Sequence, residues 1–197
     1  MENSVDLEVI SADKNVIHFR IHSLTGSDWD LLCVYGPPQN HLRNKFWKGL
    51  SQYAAQLANP WCLVGDLNAI TSTNEKHGGS QKLSNANIEF RNFIQDRGLI
   101  DLGYTGPAFT WSNGAIVEKP IFERLDRAVC TADWFFMFPD NGVLHLPRIS
   151  SDHAPILHDT IRKIMDVGKR LNEWSRKTFG NIFRAAEKCK EKLLKVQ

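Results

Sequence analysis

The chain has no apolar run near the roughly 18 residues that a bilayer-crossing helix needs. Its opening, MENSVDLEVI, has neither a basic start nor an apolar signal core. Neither a membrane association nor a secretory route is expected, and the chain reads as intracellular. Cysteine is sparse: Cys33, Cys62, Cys130 and Cys189 stand far apart, without CxxC or Cys/His spacing. That spacing excludes a disulfide framework and a zinc centre, and leaves reduced thiols, three of them in strand-like segments. Internal repeats and low-complexity tracts are also missing. What remains, 197 residues at 42% hydrophobic content, suits one ordinary globular domain.

Net charge is +2, but it is unevenly placed. The first 158 residues carry 13 basic and 17 acidic side chains, whereas the last 39 carry 11 and 5. The tail is therefore a different kind of segment: a solvated lysine-rich helix on the plain reading, a polyanion contact on the functional one. Trp174, Phe179, Ile182, Phe183, Ala186 and Leu193 give it a helical apolar stripe. The expected organisation is a domain over 1–160 and a basic helical tail or linker over 161–197.

The first third alternates as strands do. DLEVIS, NVIHFRIHS and DLLCVYG are separated by Asp13-Lys14-Asn15 and Thr25-Gly26-Ser27, which predicts consecutive antiparallel strands. After Pro37-Pro38, Leu42, Phe46, Leu50, Tyr53 and Leu57 recur every three or four residues and predict a helix; WCLVG then reads as a buried strand stopping at Gly65. Strand, helix, strand is the order of an α/β layer, and it puts Asp66 at the carboxyl end of a central strand. Residues 71–83 read as a surface loop. Ser84 or Asn85 caps a helix that Gly98 ends. Asn113-Gly114 signals a hairpin returning through IFERLDRAVC, and Thr131 caps a short helix before Pro139. GVLHLPRIS is a further strand candidate leading into SDHAPIL.

Four short stretches end or interrupt these strands with polar residues: VYGPP, GDLN, ERLDR and SSDHAPI. Each has a plain reading by itself. Gly-Asp-x-Asn is a common turn, Asp-His a common exposed loop, Arg-x-Asp an ordinary surface pair, and Tyr35 a core residue. Together they suit phosphodiester hydrolysis, which needs an activated water, a cation for the developing charge, and groups that fix in-line geometry. Asp66 can take the proton of the water with Asn68 holding it. Asp152 is a hard oxygen ligand of the kind magnesium prefers. His153 can bond a phosphoryl oxygen, with Asp126 behind it to set its tautomer. No cysteine or serine nucleophile is implied.

With Tyr35 in VYGPP, Asp66 and Asn68 in GDLN, Thr110-Trp111 in FTW, Arg124 to Asp126 in RLD, and Asp152-His153 in SDHAPI, the sequence resembles the endonuclease/exonuclease/phosphatase superfamily, whose members look like DNase I. The wording WCLVGDLNAI…EKHGG, GPAFTWSNG, RLDRAV and NEWSRKTFGNI is most similar to the endonuclease region of plant LINE-type, non-LTR retrotransposon polyproteins. The resemblance runs over nearly the whole chain. It implies an α/β (α+β) fold, a four-layered α/β/β/α sandwich, and a magnesium-dependent DNA endonuclease. Asp66, Asn68, Asp126, His153 and Tyr35 would be catalytic. Tyr35, Asn68, Thr110, Trp111 and Arg124 would bind phosphate or substrate, and Asp152, Asp66 and Asn68 would hold Mg2+. The implied compartment is the nucleus.

The departures from the family pattern carry equal weight. Its first strand bears an asparagine and is soon followed by a glutamate that is the principal magnesium ligand, and neither motif is found here. The expectation is a domain incomplete at its N-terminus, its hydrolysis weakened or absent and its Mg2+ weakly bound or absent. Unpaired sheet edges would favour self-association or pairing with another chain. Two other classes stay open: a non-catalytic nucleic-acid-binding module, and a decayed remnant acting only through protein contacts.

Overall fold

The computed structural model describes residues 6–23, 26–114, 118–149 and 151–160. The chain begins with β1 (Asp6–Ala12), β2 (Val16–His22) and β3 (Trp29–Tyr35), then α1 (Asn40–Ala54) and β4 (Trp61–Asp66). There follow β5 (Lys76–His77), α2 (Asn85–Asp96), β6 (Ile100–Asp101), β7 (Trp111–Ser112), β8 (Phe122–Glu123) and β9 (Asp126–Cys130). Last come α3 (Ala132–Met137), β10 (Val143–His145) and β11 (Ile156–His158). The sequence-predicted tail, with its aromatic stripe and Cys189, lies outside the described residues.

The first three strands are antiparallel, as the alternation predicts. Asp13 makes their first turn by accepting the N–H groups of Asn15 and Val16, both at 2.7 Å. Strand β4 returns parallel to β3 after crossing over through α1, and β9 pairs antiparallel to β4. The main sheet has the order β1-β2-β3-β4-β9-β6, beside a three-stranded sheet β5-β8-β7 and the hairpin β10-β11.

Alternation in the central strands divides the core in two. Leu32, Val34, Leu63 and Val129 face Trp47, Leu50, Phe90 and Phe93 of α1 and α2. Trp29, Leu31, Cys62, Ala128 and Cys130 face the other way, onto Trp134 of α3, Val143 of β10 and Ile156 of β11. Trp47 is the hub of the helical side, with ring centroids 4.5 Å from Phe90 and 5.6 Å from Phe93. The expected caps form: the Ser84 hydroxyl accepts from Asn87 N–H at 3.2 Å, the Thr131 hydroxyl from Trp134 N–H at 3.4 Å, and Gly98 turns left-handed at φ +59°. Among the described residues no helix is long and apolar enough to cross a membrane.

Three local expectations need correcting. The buried strand extends one residue past Gly65 to include Asp66. It can do so because Gly65 sits at φ +146° with its Cα pressed against β3; a Cβ there would lie 2.0 Å from the Val34 carbonyl oxygen. The 71–83 segment contains a short 3-10 turn, Thr73–Glu75, and strand β5. The strand returning from Asn113-Gly114 divides between sheets: Phe122 and Glu123 pair with β7, and from Asp126 the chain joins β4. Asn113 spans a wider loop than a two-residue turn, binding Ile121 through both main chain and side chain.

Three histidines, His18, His145 and His158, are buried. Burial lowers the pKa of each, that of His158 to about 4. The unfolded chain takes up these protons below pH 6.5 while the folded chain resists them, so stability falls as pH drops from 6.5 toward 4. His158 alone contributes a loss of roughly 2 kcal/mol at pH 5. Urea unfolding midpoints measured at pH 7 and pH 5 check this, and a midpoint independent of pH across that range contradicts it.

Candidate active site

The pairing of β4 with β9 sets Asp66 directly opposite Asp126. Both fall in step with the residues that point toward the hairpin side, Cys62 and Val64 on one strand, Ala128 and Cys130 on the other. Two carboxylates at directly opposed positions repel. Each is offset by a partner from elsewhere in the chain. Asn68, at φ +50° just beyond the strand, donates its main-chain N–H to Asp66 Oδ1 at 3.0 Å and its Nδ2 to Oδ2 at 2.9 Å. Its Nδ2 also donates to the Gly36 carbonyl at 2.9 Å, which ties GDLN to VYGPP. Gly36 is required there, because a Cβ would sit 2.3 Å from the Leu67 carbonyl oxygen.

His153 spans the two carboxylates. Its Nδ1 is 2.9 Å from Asp126 Oδ2 and its Nε2 is 3.8 Å from Asp66 Oδ2. The bond from Asp126 raises the imidazole pKa, with burial opposing and both aspartates assisting. Burial raises the pKa of Asp66, and the Asp126 charge adds to it while Asn68 counteracts. The result is a carboxylate more basic than usual beside an imidazole that keeps its proton more firmly: a proton acceptor next to a proton donor.

Thr110 is the joint that brings Asp126 to His153. Its Oγ1 accepts the N–H groups of Leu125 and Asp126, both at 3.0 Å, and its carbonyl accepts Ala154 N–H at 2.6 Å. Trp111 bridges to His153, and its indole N–H donates to Asp152 Oδ2 at 3.3 Å. Thr110→Val removes the acceptor from two buried N–H groups. It is expected to cost about 1–3 kcal/mol of stability and to loosen the Asp126–His153 contact, while Thr110→Ser restores both. Thermal unfolding of the two variants beside wild type reads this, and equal losses in Val and Ser contradict it.

Of the sequence-predicted residues, Asp66, Asn68, Asp126 and His153 come together, with Asp152 adjacent through Trp111. Tyr35 ends β3 beside Asp66 and is 51% exposed. Thr110 is buried with its hydroxyl committed to main chain, so it is placed to position rather than to touch a substrate. Arg124 is not brought to the cluster. It is buried, bonded to Asp101 at 2.7 Å and Glu75 at 3.3 Å, and stacked over Tyr104 at 4.8 Å. Arg127 joins the same network, its guanidinium holding Glu75 at 2.7 and 2.9 Å. Burial works against Glu75 and Asp101, yet the arginines hold both carboxyls below their ordinary values. Sequence reading missed Glu75, Asp101 and Arg127; the one available signal was two arginines flanking Leu-Asp. Glu8 lies on edge strand β1, three strands from β4, where it faces His22.

One ligand atom each from Asp66, Asp126 and His153 lies within 4.8 Å of the others, close enough to share a cation. Asp126 and one face of Asp66 are already committed to His153 and Asn68. Asp152, whose carboxylate takes the Trp111 indole N–H, is not in that group.

The mixed α/β arrangement, a central sheet backed by two helices, matches a DNase I-like fold. The solved structure that shows it is the endonuclease domain of TRAS1, a telomere-specific non-LTR retrotransposon, at TM-score 0.61 and 19% identity over 80% of this chain and 69% of that domain. Truncated TDP2 from Caenorhabditis elegans aligns at TM-score 0.45 and 16% identity over 78% of this chain and 66% of its own. A β-hairpin deletion mutant of beta toxin from Staphylococcus aureus aligns at TM-score 0.41 and 16% identity, over 61% and 44%. The fold assignment stands on the first of these. No protein-family model matches the chain, and no curated protein matches it.

Proposed function

We propose that this domain is a magnesium-dependent phosphodiester hydrolase of endonuclease type, of retrotransposon descent, acting on DNA with weakened turnover. The observation that carries the reading is the continuous chain Asp126–His153–Asp66, with Asn68 bonded to the far carboxylate. Asp66 accepts the proton of the attacking water, its raised pKa suiting it as a base. Asn68 fixes the rotamer of that carboxylate. Asp126 holds His153 by Nδ1, so that Nε2 faces the reacting phosphate as a donor. Tyr35, exposed at the neighbouring strand end, contacts the phosphate. Mg2+, held by Asp152 with Asp66 and Asn68, would supply charge for the nonbridging oxygens.

Weak turnover follows from that donor set. Among the described residues, the carboxylates around the cluster are shared with the acid–base pair. Hydrolysis of bis-p-nitrophenyl phosphate and of supercoiled plasmid, each with Mg2+ and with chelator, tests the reading. Slow Mg2+-dependent turnover of both is expected; no turnover of either, at any protein concentration, sinks it. Steep salt-dependent DNA binding without hydrolysis would instead assign the domain to non-catalytic nucleic-acid binding. Self-association is a further part of the proposal: β1 is an edge strand exposing Val9 and Ile10. A monomer by size-exclusion chromatography at high concentration would remove it.

A further inference from the structure

A groove of about 820 Å³ opens beside the catalytic cluster, between the β1–β2 turn, the end of β3 and α1. Its walls include the rings of Tyr35, Phe46 and Tyr53, the exposed Leu42, and two exposed lysines, Lys14 and Lys45. Tyr35 joins the groove to the site, since its main chain is in register with Asp66. The size falls within the range of roughly 300–1,000 Å³ usual for small-ligand sites, and the lining is mainly apolar with a few polar groups. Asp13 is the acidic residue on this wall, and its Oδ1 is occupied by two main-chain N–H groups.

One corner of the groove is built with more order than a surface cleft needs. The Tyr53 hydroxyl lies 2.6 Å from His18 Nδ1 and 3.0 Å from Ser11 Oγ. Behind them His18 Nε2 is 3.4 Å from Asp30, a fully buried carboxylate bonded to Arg20 at 3.0 Å. The imidazole is thus fixed between the Asp30 carboxylate and the Tyr53 hydroxyl, with which its Nδ1 shares a hydrogen bond. The Tyr53 and Ser11 hydroxyls share a second hydrogen bond, and Ser11 is exposed on the groove wall. This fixes the Tyr53 ring and places a hydroxyl group next to aromatic surface. None of these groups has a part in the hydrolysis at Asp66 and His153.

We propose that this groove holds one unpaired nucleotide of the strand whose phosphodiester lies at the Asp66–His153 cluster. Its base lies against Phe46, Leu42 and Tyr53, the adjacent phosphates meet Lys14 and Lys45, and the Ser11 hydroxyl bonds a polar atom of the base edge. Base faces are available to aromatic side chains only where the strand is unstacked, whereas an intact duplex keeps them stacked on one another. The inference rests on the phosphodiesterase reading and narrows its substrate to a polynucleotide unpaired next to the cut.

The test is fluorescence anisotropy of a labelled single-stranded oligodeoxynucleotide of about 12 nucleotides, and of its blunt duplex, on the Asp66→Asn chain without metal. Single strand is expected to bind more tightly than duplex. Lys14→Glu with Lys45→Glu weakens it by about tenfold or more, as losing two phosphate contacts implies. Leu42→Asp and Ser11→Ala, both at exposed positions, weaken it without disturbing the fold. Bis-p-nitrophenyl phosphate is too small to reach the groove, and its hydrolysis by otherwise wild-type chains carrying the lysine changes is expected to be unchanged. Single-strand binding that is absent, no tighter than duplex, or indifferent to both the lysine and Leu42 changes overturns the inference. Loss of the small-substrate activity in wild type counts against the catalytic reading instead, and the anisotropy still decides the groove.

Discussion

His153→Ala is expected to lower Mg2+-dependent plasmid nicking by roughly 10²–10⁴-fold, the usual contribution of a positioned proton donor. The imidazole is held beside Asp66 because Asp126 holds its Nδ1 at 2.9 Å and Thr110 holds Asp126. Asp126→Asn keeps the shape of that partner but not its charge, so the raised pKa of His153 falls back and the rate drops, by less than in His153→Ala. Single-turnover rates at fixed protein concentration, ordered wild type above Asp126→Asn above His153→Ala, are the predicted result. Equal rates for wild type and His153→Ala would mean that the imidazole takes no part.

The second large effect concerns stability. Arg127 is fully buried and makes a bidentate pair with Glu75, with a further bond to Asp101 at 3.0 Å. Arg127→Ala leaves the half-buried Glu75 carboxylate without its main partner, and breaking a pair with one fully buried member costs about 3–5 kcal/mol. At about 2–4 °C per kcal/mol for a domain of this size, Tm should fall by about 6–20 °C. Removing both partners relieves the stranded charge, so Arg127→Met with Glu75→Gln should be less destabilised than Arg127→Ala alone. Thermal unfolding of the two proteins decides it: a double variant at least as unstable as the single one would place the loss in packing against Phe90, whose ring lies 5.3 Å from the guanidinium. The network also matters to the site, because Arg124 and Arg127 bracket Asp126 and anchor the crossing from β8 to β9.

Much of this was legible in the chain. The alternation of the first strands, the helical spacing from Leu42 to Tyr53, and the caps at Ser84 and Thr131 are local signals, and local geometry follows them. The side chains that meet in the cluster were legible too, since carboxylate, carboxamide and imidazole stand in short stretches that end strands. Their mutual placement was not. Asp66 faces Asp126 through the register of β4 with β9, and register is a property of pairing between segments about 60 residues apart. Arg124 looked available because it adjoins Asp126; only the fold shows it turned inward to Glu75, which the sequence presents as one polar residue in a polar loop. Gly65 looked like the end of a strand, and its reason for being glycine, the carbonyl of Val34, belongs to another strand.

Asp66 carries the central claim, as the carboxylate proposed to activate water and share the cation. Plasmid nicking by wild type and Asp66→Asn prepared side by side, with Mg2+ and with chelator, reaches it most directly. Slow nicking by wild type alone, silenced by chelator and at least about 100-fold slower in Asp66→Asn, is the result predicted. Nicking at the same rate in both proteins, or undiminished by the chelator, would contradict it.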